Sequence, residues 1–326
     1  MNRRERTHRI KQAALGIGFT KAGITSAEPF DEASDRLNAW VASGAHGVMS
    51  YMERNQEKRR DVKNILPTAK SILSLALNYN YGASPVGRTL SPSGERDGLR
   101  VRPTGENLKI SRYAWGDDYH DVIGIMLEKL LEEIKIIAPE AEGRYYVDTG
   151  PLLEKAIAER AGIGWIGKHT NVITQEIGSW VFLSEIVLNL DLENDIPAAD
   201  LCGTCTRCIE ACPTDAITAP YQLDATKCIS YLTIELKPEN EIAPELANQL
   251  EGWLYGCDIC QDVCPWNRFE QQTPLSAFAP RGENLLLTKE MIEAMEQEEF
   301  SKRFKKSPVK RTKLAGLKRN VKAMNS

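Results

Sequence analysis

No apolar run in this 326-residue sequence comes near the roughly 18–20 residues that cross a bilayer; the longest are short stretches such as Ile72 to Leu77 and Trp180 to Leu183. An integral membrane protein is excluded on that ground. The basic N-terminus, MNRRERTHRIKQAALGIGF, lacks a small-residue cleavage site and a sustained apolar core, so it reads as an amphipathic helix and not a leader. The expected location is the cytoplasm. Cysteine is absent before position 202 and after position 264, which excludes a disulfide framework spread along the chain. No extreme of charge or composition points to disorder or a fibrous repeat: 41 Lys plus Arg stand against 45 Asp plus Glu, with 42% hydrophobic residues. At roughly 100–200 residues per domain, the length suits about two domains with sizeable cores.

The near-balance of charge hides an asymmetry. Residues 301–326 hold ten Lys or Arg and no acid, so residues 1–300 carry −14 of a net −4. Such a run is either a solvated helix face or a contact for phosphate backbone, where Lys and Arg release counterions without any sequence code. Pro308 ahead of KRTKLAGLKRN favours a short basic helix.

All eight cysteines crowd into 202–264. The first four read Cys202-x2-Cys205-x2-Cys208-x3-Cys212-Pro213, the full bacterial ferredoxin run. The fourth thiolate of such a run crosses to a second cluster, so a second set is required. Cys257, Cys260 and Cys264-Pro265 supply three members at the right spacing. Leu254 stands where the first cysteine is expected, and Cys228 is left to replace it. The spacing thus assigns Cys202, Cys205, Cys208 and Cys264 to one [4Fe-4S] cluster, and Cys212, Cys228, Cys257 and Cys260 to the other. Paired zinc sites are the alternative, but three thiolates within seven residues and the trailing prolines fit clusters better.

The first 200 residues mix helix and strand periodicity without regular alternation, an α+β pattern. Residues 3–14 and 31–43 read as helices, 72–79 as a buried strand, 82–107 as a long Gly, Pro, Ser and Arg-rich loop, and 117–137 as an amphipathic helix. RYYVD (144–148) reads as a strand, followed by a helix with Pro151 in its first turn and Gly162 at its stop. NVIT and SWVFLSEIVLNL add strands, and 191–197 is the expected linker. The implied segments are 1–197, 198–270 and a basic helical 271–326. Gly162-x-Gly164-x-x-Gly167 follows a helix and precedes a strand, the reverse of a dinucleotide fingerprint. Asp118-Tyr-His120 falls one residue short of a D-x-H-x-x-G cobalamin-ligand pattern, so His120, like His8 and His46, reads as an ordinary helix or surface residue. Asp148 supports two readings: an acid aimed into a cleft, its pKa raised by burial, or the N-cap of the following helix.

Taken together, ISRYAWGDDYH (110–120), VDTGPLLEKAIAERAGIGWIGKHTN (147–171), CGTCTRCIEACPT, CISYLTIE (228–235) and GCDICQDVCPWN (256–267) resemble the epoxyqueuosine reductase family over almost the whole chain. The resemblance implies a nitroreductase-like cobalamin-binding domain, related to reductive dehalogenases, followed by a small ferredoxin-like domain with two [4Fe-4S] clusters. It implies reduction of the epoxide of epoxyqueuosine at the tRNA wobble position, with an external low-potential electron donor and cobalamin held base-off without a protein lower ligand. Asp148 matches the proton donor, and Ser111, His169, Thr170, Asn171, Val172 and Ser230 match corrin contacts. Many members carry an extra C-terminal helical-repeat segment that helps hold the tRNA stem; the basic tail is expected to serve in part for that surface. The alternative is a corrinoid reductase of a small molecule, as in dehalogenases, although Arg3-Arg4 lacks the apolar core of their export leader.

Overall fold

The computed structural model describes residues 1–82 and 107–325; the loop expected over 82–107 lies, apart from its ends, outside them. A four-stranded antiparallel sheet organises the first half, in the order Lys21–Ser26, Ser71–Asn78, Val181–Leu188, Gly143–Tyr146. Side chains alternate across a strand, and here both faces are covered. Leu73, Leu75 and Leu77 with Ile186 and Leu188 meet the helices Arg3–Ile17 and Tyr119–Ile137 through Ile10, Ile123, Leu127, Leu130 and Ile134. On the opposite face, Ile72 and Val187 pack with Phe30, Leu152 and Ile157. Each such aliphatic chain is worth roughly 1.5–3 kcal/mol when buried. Register is fixed further by Glu185, paired with Ser74 across the central strands, because a slip by one residue would turn a carboxyl into the leucine-rich face.

Gly23 lets the helix Glu154–Arg160 sit down on the sheet: a Cβ there would stand 2.1 Å from the Ala161 carbonyl oxygen. That helix begins at Glu154, three residues later than its proline suggested, and the edge strand ends at Tyr146. Residues 147–153 form an irregular connection in which Asp148 has a φ of 57°. Gly162, at φ 71°, closes the helix, and the glycine-rich stretch turns that helix into the strand Trp165–Ile166. Among the described residues no helix is long and apolar enough to cross a membrane.

The cysteine segment is built from short helices, Arg207–Glu210 packed on Ile259–Asp262, with Ile229–Ile234 beside them and a small hairpin, Ile217–Ala219 with Gln222–Leu223. Hydrophobic cores cross the boundaries drawn from the sequence. Trp253–Tyr255 pairs in parallel with Lys109–Ile110, and Leu108, Ile110 and Trp115 share a core with Leu254, Phe300, Phe304, Leu317 and Val321.

The tail is a packed element and not a loose basic arm. Its helix, Lys313–Met324, buries Leu317, Asn320 and Val321 fully. Arg319 is also buried, and its guanidinium donates to the carbonyls of Leu232, Leu236 and Asn240, so it ties the tail to the Ile229–Ile234 helix and is unavailable to a phosphate.

Candidate active site

A cavity of about 530 Å³ opens where the sheet, the cysteine segment and the tail meet. Its wall gathers Ser111, Asp148, His169, Thr170, Asn171, Val172 and Ser230 with Cys212, Cys228, Cys257 and Cys260. Residues as far apart in sequence as Met49 and Arg311 thus share one space. Ser111 enters from the turn after Lys109–Ile110, where its hydroxyl donates to Asp258 Oδ1 at 2.5 Å. His169 to Val172 come from the tight loop between two short strands, closed by Gly167 N–H to the Asn171 carbonyl at 2.8 Å and with Thr170 at φ 66°. Ser230 stands in the first turn of Ile229–Ile234.

A second cavity, of about 220 Å³, is lined by Cys202, Cys205, Cys208 and Cys264 together with Trp266, Lys168 and Arg268. The eight thiols therefore line two cavities, four to each. His169 borders both cavities. Its Nδ1 accepts the Asn171 N–H at 3.2 Å, while Nε2 is buried with no partner. Burial and the nearby Lys155 charge push its pKa down to about 4, so the ring is neutral and offers an unspent N–H.

Asp148 is held from three sides. Tyr119 donates to Oδ2 at 2.7 Å, His120 Nε2 lies 3.3 Å from the same oxygen, and Arg311 Nη1 is 3.7 Å away. The carboxylate is not an N-cap: the cap position of the next helix is Leu153, without a side-chain bond. Nor does burial keep it protonated. Burial does push upward, but the His120 imidazolium, the Tyr119 bond and the Arg311 charge outweigh it and hold the pKa at about 2. The proton resides on the neighbour instead. Burial disfavours the imidazolium of His120, yet bonds to Asp118 (Nδ1, 2.8 Å) and Asp148 raise its pKa to about 9.

Sequence reasoning therefore missed His120, Tyr119 and Arg311. The signal for His120 was present in the Asp118-Tyr-His120 stretch, discounted because it failed a ligand pattern. Arg311 was hidden among ten tail cations. A third cavity, of about 250 Å³, adjoins this cluster and is lined by His120, Lys306, Lys310 and Arg311.

Residues 201–267 match the model of a 4Fe-4S double cluster binding domain, and residues 59–149 that of epoxyqueuosine reductase QueG, DUF1730. The epoxyqueuosine reductase of Cellulophaga algicola is 45% identical over 322 residues, covering 98% of this chain and 99% of that protein. The chain belongs to the epoxyqueuosine reductase family. The Synechocystis sp. family member is 44% identical over 295 residues, 90% of this chain and 95% of that protein. A crystal structure of epoxyqueuosine reductase with an epoxyqueuosine-modified tRNA stem loop superposes with a TM-score of 0.86 at 33% identity, over 97% of this chain and 80% of that one. The family member from Bacillus subtilis gives 0.85 at the same identity and coverage.

Proposed function

We propose that this protein reduces the epoxide of epoxyqueuosine at the tRNA wobble position to queuosine, with a base-off corrin in the large cavity and two [4Fe-4S] clusters. The observation that carries the reading is the convergence of Asp148, the Ser111, His169–Val172 and Ser230 set and one cysteine quartet on a single cavity, in a chain of this family. The residues fit these groups. Each quartet lines its own cavity, and the unpartnered Nε2 of His169 supplies a donor for a polar corrin substituent. Cys202, Cys205, Cys208 and Cys264 would hold the outer cluster, within reach of an external low-potential donor. Cys212, Cys228, Cys257 and Cys260 would hold the one beside the corrin.

The net reaction removes the epoxide oxygen as water, consumes two electrons and two protons, and leaves a carbon–carbon double bond. When bound, the clusters relay single electrons and the corrin's cobalt supplies the low-valent nucleophile. The chain's own task is the first of the two protons; the second, which completes the water, comes from solvent. Asp148 Oδ2 is fixed by Tyr119 and Arg311 and hands a proton to the departing oxygen, which would otherwise leave as an alkoxide. His120 carries that proton at rest.

The deciding experiment is mass spectrometry of tRNA nucleosides from a strain lacking the gene, beside its parent. Epoxyqueuosine should accumulate at the expense of queuosine. Unchanged queuosine, with no turnover of modified tRNA by the purified protein, would reject the substrate and favour a small-molecule reductase.

Two further results are expected. Cys228→Ser should lower bound iron by up to about half, because one quartet loses a thiolate; full iron content would show that another ligand completes that cluster. In the tail, Lys305, Lys306 and Lys310 are exposed, and we assign them to the tRNA backbone. Their replacement by Ser should weaken tRNA binding and flatten its salt dependence by roughly one unit of slope for each phosphate no longer neutralised. An unaltered slope would leave them as solubilising charge.

A further inference from the structure

Glu185 has no part in the chemistry above. It stands on a central strand, wholly buried, and neither carboxyl oxygen meets a hydrogen-bond donor. Sheet alternation turns it away from the leucine-rich face and toward the helix Glu154–Arg160, where its side chain contacts the Glu154 carboxyl. Two carboxylates offer each other only lone pairs, so a bond between them requires a proton on one. The cross-strand neighbours do not relieve this: Ser74 and Tyr146 flank Glu185, and the Ser74 hydroxyl is itself unpartnered.

Glu154 reaches in the other direction as well. Its Oε1 accepts the Asp148 backbone N–H at 2.6 Å. That is the residue held at φ 57°, a left-handed conformation that costs a non-glycine residue roughly 1–3 kcal/mol unless its surroundings enforce it.

We infer that Glu154 and Glu185 share one proton, and that this singly charged pair is the anchor that keeps the Asp148 loop in its working conformation. The inference rests on the function proposed above. Both are positioning residues, acting through Asp148 and not on the substrate. The groups facing the pair fit one retained proton: the Asp148 carboxylate, the Lys155 ammonium and, further off, Arg59 and Tyr119. Burial, and then the Asp148 charge, raise Glu154, and burial raises Glu185 well above the ordinary carboxylate range. When the shared proton leaves on the alkaline side, two like charges face each other in a buried site, and the anchor opens.

Glu185→Gln and Glu185→Leu test this, each loaded with iron and corrin. The Gln amide donates to Glu154 without titrating, so kcat at pH 7 should stay within about threefold and the pair's alkaline inflection should vanish. The Leu variant removes the partner, and kcat should fall by roughly 10²-fold, the usual cost of a misplaced catalytic group, at unchanged KM. Infrared difference spectra across pH 7 to 9 supply a readout independent of turnover: the native protein should lose a protonated-carboxyl band that Glu185→Gln lacks. Turnover without that band, or a Leu variant with native kcat and pH profile, overturns the pair. A native protein that shows the band but leaves epoxyqueuosine untouched retains the pair and refutes the function instead.

Discussion

Asp148→Asn is expected to lower turnover of epoxyqueuosine tRNA by about 10³-fold, within the usual span for loss of a general acid, while iron and corrin content stay at native levels. The substitution is close to isosteric. Its amide oxygen still accepts from Tyr119, and the backbone N–H still bonds to Glu154, so the loop has no reason to move. What disappears is the capacity to take a proton from His120 and pass it on. The charge facing Arg311 disappears too, which removes an attraction acting over 3.7 Å at a half-exposed position, a contribution of at most about 1 kcal/mol. The chemical loss thus exceeds the structural one by about two powers of ten in rate. Near-native single-turnover rates in this variant would place the proton donor elsewhere on the cavity wall. Loss of corrin alongside turnover would make Asp148 a binding residue.

The elements that position the site were legible because they obey local rules. The apolar run at 72–79, the three-and-four spacing of 117–137 and the ferredoxin thiol spacing each encode their structure within a few residues, and each stands where expected. The acid's environment was not legible, since it depends on long-range packing. Tyr119 and His120 come from one helix start, Arg311 from a turn 163 residues after Asp148, and none of the three is marked by a spacing rule. The sign of the Asp148 shift failed for the same reason. Burial alone raises a carboxyl pKa, and only the folded arrangement reveals an imidazolium, a tyrosine hydrogen bond and a guanidinium that reverse it. Arg319 shows the converse: one of the ten cations in the tail, which the sequence leaves open to solvent or phosphate, satisfies buried carbonyls instead. Net charge along a sequence does not say which cations face solvent.

His120→Asn is expected to cost about 10²-fold in kcat and to remove an alkaline inflection near 9. The imidazole stands between the carboxylates of Asp118 and Asp148, its two nitrogens 2.8 and 3.3 Å from them. Two acids outweigh the penalty of burial, so the ring keeps its proton to about pH 9. Lys306, Lys310 and Arg311, which share the adjoining cavity, oppose that proton without displacing it. At neutral pH the cluster is therefore an imidazolium beside a carboxylate held near 2. It becomes a competent acid only when basicity develops on the departing oxygen and draws the proton through Asp148. The linkage signs follow. The stability drawn from His120 is complete below its unfolded value near 6.5 and fades as pH rises through about 9, whereas that drawn from Asp148 is complete above about 4 and fades only toward 2. Activity and stability should both decline on the alkaline side, and His120→Asn should flatten both profiles there. Imidazole in solution has room in the 250 Å³ cavity beside the ring and should restore part of the lost rate. The measurement is cleanest in a Glu185→Gln background, where the carboxyl pair no longer titrates. A native alkaline limb persisting in the double variant would assign that limb to some other group and remove His120 from the proton path.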